Sequence, residues 1–339
     1  MLDLDVFLPL QEKKESEEFT ISGPSNDGDF KPQPQDPVQK PKLTIQDFDD
    51  DDVEEETYSK EEIGDVNKIR VNIDDSCPVV LLFGPKGSGK TMALVRLTRF
   101  LEDNGYKLKP YRLFRPAHDI HYKKICDNFR HLCYSNYAPG GNNVINFMLV
   151  KVIDKDGRPI CQILEAPGEH YFDAKYPEKP FPTYIQQIVT ELPNKRIWAF
   201  IVQKDWNPDT EKKENGETVD AVLARTEYTQ RVQTIRRTKQ NRAIFICHKI
   251  DESDDTFLPN GRPNTKEFKR QIRLQYGNIF QNWKNRNPLT KWLKPDCFYF
   301  VPFSAGAFST EDSGRTQYIK GDDWYPRMLW KAILKQVKG

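Results

Sequence analysis

Gly84-Pro-Lys-Gly-Ser-Gly-Lys-Thr91 reads GPKGSGKT and fits the pattern GxxxxGK[ST] without a mismatch. Its setting matters as much as its letters. It follows Pro78-Val-Val-Leu-Leu-Phe83, an apolar, β-branched run that predicts a buried strand, and it opens a segment with helical spacing at Leu94, Leu97 and Leu101. A glycine-rich turn between a buried strand and a helix turns several backbone N–H groups inward. The helix N-terminus adds partial positive charge to the same spot. Gly84, Pro85, Lys86, Gly87, Ser88, Gly89, Lys90 and Thr91 therefore form a candidate phosphate cradle. Lys90 is placed to reach the β- and γ-phosphates of a nucleoside triphosphate, and the Thr91 hydroxyl to reach Mg²⁺.

Outward from this loop, strands and helices alternate. Asn104-Gly105 stops the first helix. HDIHYKKICDNFRHLCYS, from His118 to Ser135, predicts a helix, and NYAPGGNN over 136–143 a loop. A hairpin follows, with strands Asn146–Ile153 and Ile160–Leu164 around the turn Asp154-Lys-Asp-Gly157. Helical spacing returns at Tyr184–Leu192, Ala221–Ile235 and, as one long helix, at Phe268, Ile272, Tyr276, Ile279 and Trp283. Ile197–Val202, Ala243–Cys247 and Phe298–Pro302 are apolar strands, and Trp324–Val337 is the last helix. The order predicts a doubly wound, mostly parallel α/β sheet with one antiparallel strand from the hairpin, and ligands at the carboxyl ends of the strands.

Charge divides the chain. Residues 1–66 hold 6 Lys/Arg against 20 Asp/Glu, and the remainder 45 against 30. PSNDGDFKPQPQDPVQKP and DFDDDDVEEE offer too little apolar surface to offset ordering entropy, so 1–66 is expected to be a disordered acidic arm before an ordered domain over 67–339. The first ten residues carry Leu2, Leu4, Val6, Phe7, Leu8 and Leu10, as a floppy end or as a peptide that docks on a partner. They do not read as a secretory signal. No run approaches the ~20 apolar residues of a membrane span, so no membrane association is expected. Six cysteines without a CxxC spacing, two of them in apolar strands, suit buried thiols in a cytoplasmic setting.

Three further motifs end predicted strands. Cys161-Gln-Ile-Leu-Glu-Ala-Pro-Gly-Glu-His170 carries Glu165 and Gly168, Cys247-His-Lys-Ile-Asp251 reads HKID, and Phe303-Ser-Ala-Gly306 reads SAG. In this order and at these strand ends the chain resembles the Ras-like, translation-factor-related class of P-loop GTPases over residues 76–339, in a divergent bacterial style. The resemblance implies a G-domain fold with GTP and Mg²⁺ as ligands. It gives Glu165 the place of the DxxG aspartate near Mg²⁺, and Gly168 that of the glycine whose N–H meets the γ-phosphate. His248, Lys249 and Asp251 stand at NKxD, where the aspartate accepts from guanine N1–H and the N2 amino group and the lysine stem covers the base. Ser304 and Ala305 stand at the SA[KG] turn, where a backbone N–H meets guanine O6. It also implies protein partners at switch loops 136–143 and 165–175.

The chain departs from that pattern in three places. Glu165 replaces aspartate, no threonine lies between Thr98 and Thr183, and Glu169 follows Gly168 where the family orients water with Gln or His. Lys90, Glu165, Gly168 and Glu169 are thus candidate catalytic residues of a slow or partner-activated GTPase switch, and Thr91 and Glu165 the candidate metal ligands. Arg112 and Arg115 are candidate arginine fingers in cis, against the alternative of surface charges. Two other functions are retained: an ATP-using phosphotransferase or ATPase with Glu165 as base, and a scaffold with structural nucleotide. His118, His121, Cys126, His131 and Cys133 lack the paired short spacing of a zinc site. Lys266–Lys294 interleaves cations with Tyr276, Trp283 and Trp292, as a solvated face over core aromatics or as a contact for nucleic acid or an acidic partner.

Overall fold

The computed structural model describes residues 65–136, 147–172, 176, 179–202, 219–252, 258–310 and 316–339. The expected acidic arm, except Asp65 and Val66, lies outside the described residues, as do switch positions 137–143 and 173–175.

A seven-stranded sheet organises the domain. Its strands are β1 (Val79–Phe83), β2 (Lys107–Pro110), β3 (Met148–Ile153), β4 (Pro159–Glu165), β5 (Arg196–Val202), β6 (Asn241–Cys247) and β7 (Phe298–Pro302), in the order β2-β3-β4-β1-β5-β6-β7. Neighbours from β4 to β7 run parallel. β3 is antiparallel to β4 and to β2, so it is the one reversed strand of the sheet. The hairpin forms at its predicted turn, where Asp154 Oδ1 accepts from Asp156 N and Arg158 N and Gly157 takes φ of 84°.

β1 is buried at every position, as are β5 and the last five residues of β6. Continuous apolar runs of this kind are what a parallel strand covered on both faces requires. The helices that provide the cover are α1 (Lys90–Asp103), α2 (Ile120–Tyr134), α3 (Gly168–Tyr171), α4 (Thr183–Gln186, continued by a π-helical turn Gln187–Glu191), α5 (Val219–Thr234), α6 (Thr265–Gln275) and α7 (Trp324–Lys338). Leu94, Leu97 and Leu101 of α1 are buried, as are Leu329, Trp330 and Ile333 of α7. Arg96, fully buried on α1, donates to Gly321 O at 2.9 Å and pairs with Asp323 at the start of α7.

The long helix expected over Phe268–Trp283 is two pieces. Gly277 takes φ of 59° just after the cap residue Tyr276, so α6 ends at Gln275, and a separate turn, Gln281–Trp283, carries the rest. All five marker residues are still buried, so the apolar spacing was real while the helix was not continuous. Three strands were not foreseen. β2 is a four-residue edge strand of alternating burial. β8 (Gly306–Thr310) and β9 (Thr316–Lys320) make a separate antiparallel hairpin directly after the SAG turn. The described cysteines are free thiols, and among the described residues no group of three or more His, Cys, Asp or Glu converges as a metal site.

Candidate nucleotide site

β1, β4, β6 and β7 run the same way, so the loops after Phe83, Glu165, Cys247 and Pro302 emerge at one edge of the sheet. From β1 the chain goes to β2, β3 and β4 on one side, and from β4 it passes to β5 on the other side of β1; such a reversal of strand order is where a crevice opens at that edge. The predicted site residues gather there.

In the cradle, Gly87 and Gly89 take φ of 75° and 84°, a left-handed backbone that side chains resist. Ser88 Oγ donates to Pro85 O at 2.8 Å and closes the loop from inside. Lys90 is 6% exposed, and its Nζ donates to Gly84 O at 3.0 Å and Pro85 O at 2.8 Å. Desolvation lowers its pKa, against the pull of Glu165 and Glu169. A desolvated cation thus rests on two carbonyls of its own loop.

Glu165 ends β4 beside this loop. The Thr91 hydroxyl donates to Glu165 Oε1 at 2.7 Å. Glu165 is 3% exposed, and its Oε2 is buried without a hydrogen-bond partner among the described residues. Burial pushes its pKa up to about 7, offset in part by Lys90 and the Thr91 hydrogen bond. Hydroxyl and carboxylate thus face each other with one carboxylate oxygen unsatisfied, a hard oxygen donor set that fits Mg²⁺.

Gly168 lies against the cradle backbone. A Cβ there would stand 2.2 Å from Lys86 N and 2.4 Å from Pro85 C. Only glycine permits this approach, which sets the start of α3 against the loop Gly84–Gly89. Glu169 reaches Lys86 at 3.8 Å, both side chains largely exposed, so this pair adds little stability. His170 shares a 2.7 Å hydrogen bond with the Tyr184 hydroxyl, and burial lowers its pKa to about 4.

His248 follows β6 and is the least foreseen contact. A Cβ on Gly89 would meet its Cε1 at 2.5 Å, so the imidazole fills the space beneath the cradle glycine. Its other face stacks on Phe303 at 5.5 Å. Burial depresses its pKa to about 3, and neither ring nitrogen has a hydrogen-bond partner among the described residues. A buried neutral imidazole makes a prediction. The unfolded chain protonates His248 below pH ~6.5, and the folded chain not until about 3. Stability from this residue is complete above the unfolded value and lost as pH falls towards the folded one. Its share is about 1.4 kcal/mol per pH unit. Glu165 acts oppositely, favouring the fold below its unfolded value and losing that contribution as pH rises through about 7. Urea melts at pH 7.5 and pH 5 should therefore show a shallower acid loss for His248→Asn than for the parent chain.

The loops after β6 and β7 are braided, with Phe303 N donating to Cys247 O at 2.8 Å and Ile250 N to Phe303 O at 3.3 Å. Lys249 takes φ of 59°, and Asp251 stands exposed in the turn Ile250–Glu252. Ser304 and Ala305 are buried, and Ser304 Oγ accepts from Gly306 N at 3.1 Å.

Tyr318 on β9 is the residue that sequence reasoning missed. Its hydroxyl donates to Ala305 O, its ring stacks under Arg99, and its amide donates to Asn136 O at 2.7 Å. It links the SAG turn to the first residue of the 136–143 loop. A hairpin signal existed in the aromatic and β-branched residues on either side of EDSGR. Tyr318→Phe leaves the Ala305 carbonyl without this donor and should cost about 1 kcal/mol of stability, read as a lower urea midpoint at unchanged slope.

The arginine-finger expectation needs correcting. Arg115 is 3% exposed, paired with Asp119 at 2.5 Å, and its guanidinium lies over the Phe147 ring. Arg112 pairs with Asp127 at 3.2 Å. Both groups are engaged within the segment that carries them, and Arg115 is not a surface charge either.

No family model matches the chain, and no curated protein matches it. Among solved structures it is similar to the nucleolar GTP-binding protein 1 of Plasmodium falciparum, at 13% identity and a TM-score of 0.35, covering 79% of this chain and 91% of that one. It is similar also to the cytosolic domain of the T. maritima FeoB iron transporter, at 11% identity and a TM-score of 0.33, covering 78% of this chain and 65% of that one. Likenesses this distant bear on neither ligand nor reaction.

Proposed function

We propose that the domain over 67–339 binds GTP with Mg²⁺ and acts as a nucleotide switch that hydrolyses slowly or on contact with a partner. The observation that carries this is the meeting of Thr91 Oγ1 with Glu165 Oε1 at 2.7 Å, beside a Gly168 packed onto the cradle backbone. Lys90 would leave the Gly84 and Pro85 carbonyls for the β- and γ-phosphates. Thr91 and Glu165 would hold the ion, which when bound supplies charge neutralisation for those phosphates. The Gly168 N–H would sense the γ-phosphate. Guanine preference would rest on Asp251 accepting from N1–H and the N2 amino group, on the Lys249 stem over the base, and on the Ser304-Ala305 turn towards O6. Adenine lacks that donor pair and would leave the carboxylate unpaired.

Slow turnover follows from what stands next to Gly168. Glu169 is an exposed carboxylate paired with Lys86, and His170 is held by Tyr184 and neutral at physiological pH. Neither is placed to orient attacking water, so a partner at 136–143 and 165–175 would complete the site. A second reading, an ATP-using enzyme with Glu165 as general base, is favoured by the raised pKa and unpartnered Oε2 of that residue. Competition separates the two: GTP should displace a fluorescent GTP analogue while ATP leaves it bound. Equal displacement by ATP overturns the switch. Absence of any magnesium-dependent turnover, alone or with a partner, would leave a scaffold with structural nucleotide.

A further inference from the structure

The basic segment before β7 separates into two kinds of aromatic residue. Tyr276 and Trp283 are core, at 1% and 0% exposure. Trp292 is 70% exposed, with Leu289 at 79% and Leu293 at 40%. Three large apolar side chains within five residues thus stand in solvent. Lys284, Arg286, Lys291 and Lys294 flank them, and residues 284–295 contain no carboxylate.

The loop is nonetheless built. Asn285 Nδ2 donates to Thr290 Oγ1 and to Lys294 O, both at 2.9 Å. Asn285 Oδ1 accepts from Asn287 N at 3.0 Å, and Asn287 Oδ1 from Leu289 N at 2.9 Å. Asn285 N donates to Pro295 O at 2.7 Å, Lys291 N to Asn287 O at 2.9 Å, and Lys294 N to Thr290 O at 2.8 Å. These bonds hold the loop in its own shape. What stands exposed is Leu289, Trp292 and Leu293, interspersed along the loop with Lys284, Arg286, Lys291 and Lys294.

We infer that residues 284–295 form a peripheral docking knob for an anionic lipid surface. Apolar exposure and charge both point there. A bilayer interface accepts exposed apolar side chains without a matching pocket, and an indole suits its boundary, with an apolar body and one N–H. Cations beside these side chains gain from anionic headgroups, about fivefold in affinity each. Both polar groups of the Asn285 side chain, and Oδ1 of Asn287, are engaged inside the loop rather than offered to a partner. The knob precedes β7, at the edge opposite the loops that carry Lys90, Glu165, His248 and Ser304, so docking leaves the nucleotide site facing away from the lipid. This contact is superficial; no helix among the described residues is long and apolar enough to cross a membrane. It does not rest on the nucleotide proposal.

The test is co-sedimentation of the full chain with phosphatidylcholine vesicles, with and without phosphatidylserine. Binding is expected only with phosphatidylserine and should fall as salt rises. Trp292→Ala should weaken it about tenfold. Lys291→Glu with Lys294→Glu should weaken it by about 25-fold or more. Thermal melts check that each variant folds as the parent does, and these exposed positions should leave the melt unchanged. Equal binding to both vesicle types, no binding to either, or phosphatidylserine binding that neither variant weakens overturns the proposal. So does capture of the chain by single-stranded RNA or polyglutamate through the knob with no vesicle binding, which would reassign it to a polyanionic macromolecule.

Discussion

Gly168→Ala should lower the melting temperature and abolish the triphosphate-over-diphosphate preference that the proposed switch requires. The added methyl would sit 2.2 Å from Lys86 N and 2.4 Å from Pro85 C. Both are backbone atoms of the phosphate cradle, so no side chain can swing aside. Either α3 lifts away from the loop or the cradle deforms. Overpacking of this kind costs about 1–3 kcal/mol, and lifting α3 moves the amide proposed to sense the γ-phosphate. Gly157→Ala is the matched control. It has a φ of 84° and open space around its Cβ, so it carries backbone strain alone and should leave nucleotide binding unchanged. Thermal melts and titration of fluorescent GTP and GDP analogues on both variants check this. Parental behaviour of Gly168→Ala would mean that α3 and the cradle are not packed as described.

Lys90→Ala should weaken triphosphate binding by about 100-fold or more. The ammonium is the buried cation of the cradle, and charge-assisted hydrogen bonds to phosphate are each worth about 1.5–3 kcal/mol. Stability should move little by comparison. In the free protein Nζ donates only to Gly84 O and Pro85 O among the described contacts, and removing a desolvated charge offsets their loss. The signature is therefore a large fall in affinity with a small change in urea midpoint. A large loss of stability with nucleotide affinity intact would make Lys90 a structural residue and remove the phosphate assignment.

The parts of the fold that were legible in sequence are those whose signal is local. Val79–Phe83, Ile197–Val202 and Ala243–Cys247 are apolar without interruption because both faces are covered, and the cradle has fixed spacing because each position has its own backbone task. Other features depend on contacts between distant residues. Gly277 breaks a helix whose buried spacing continues across the break. Lys107–Pro110 is too short and too charged to announce an edge strand. Arg115 reads as a surface cation until Asp119 and Phe147 enclose it. Trp283 and Trp292 have the same kind of neighbours along the chain and opposite exposure. In the site, Thr91, Glu165 and Gly168 were placed by strand ends, whereas the packing of His248 on Gly89 and the link from Tyr318 to Asn136 needed three dimensions.

Arg96 fixes the first helix to the last. Its side chain lies fully inside, bonded to Gly321 O and Asp323 just before α7. The helix that carries Lys90 and Thr91 at its start cannot separate from the carboxyl-terminal helix without exposing a guanidinium that has lost its partners. The two should open together, as one cooperative unit. In amide hydrogen exchange, protection over 90–103 and 324–338 should then vanish at the same denaturant concentration, and bound nucleotide should slow exchange at the carboxyl end of the chain as much as in the loop it touches.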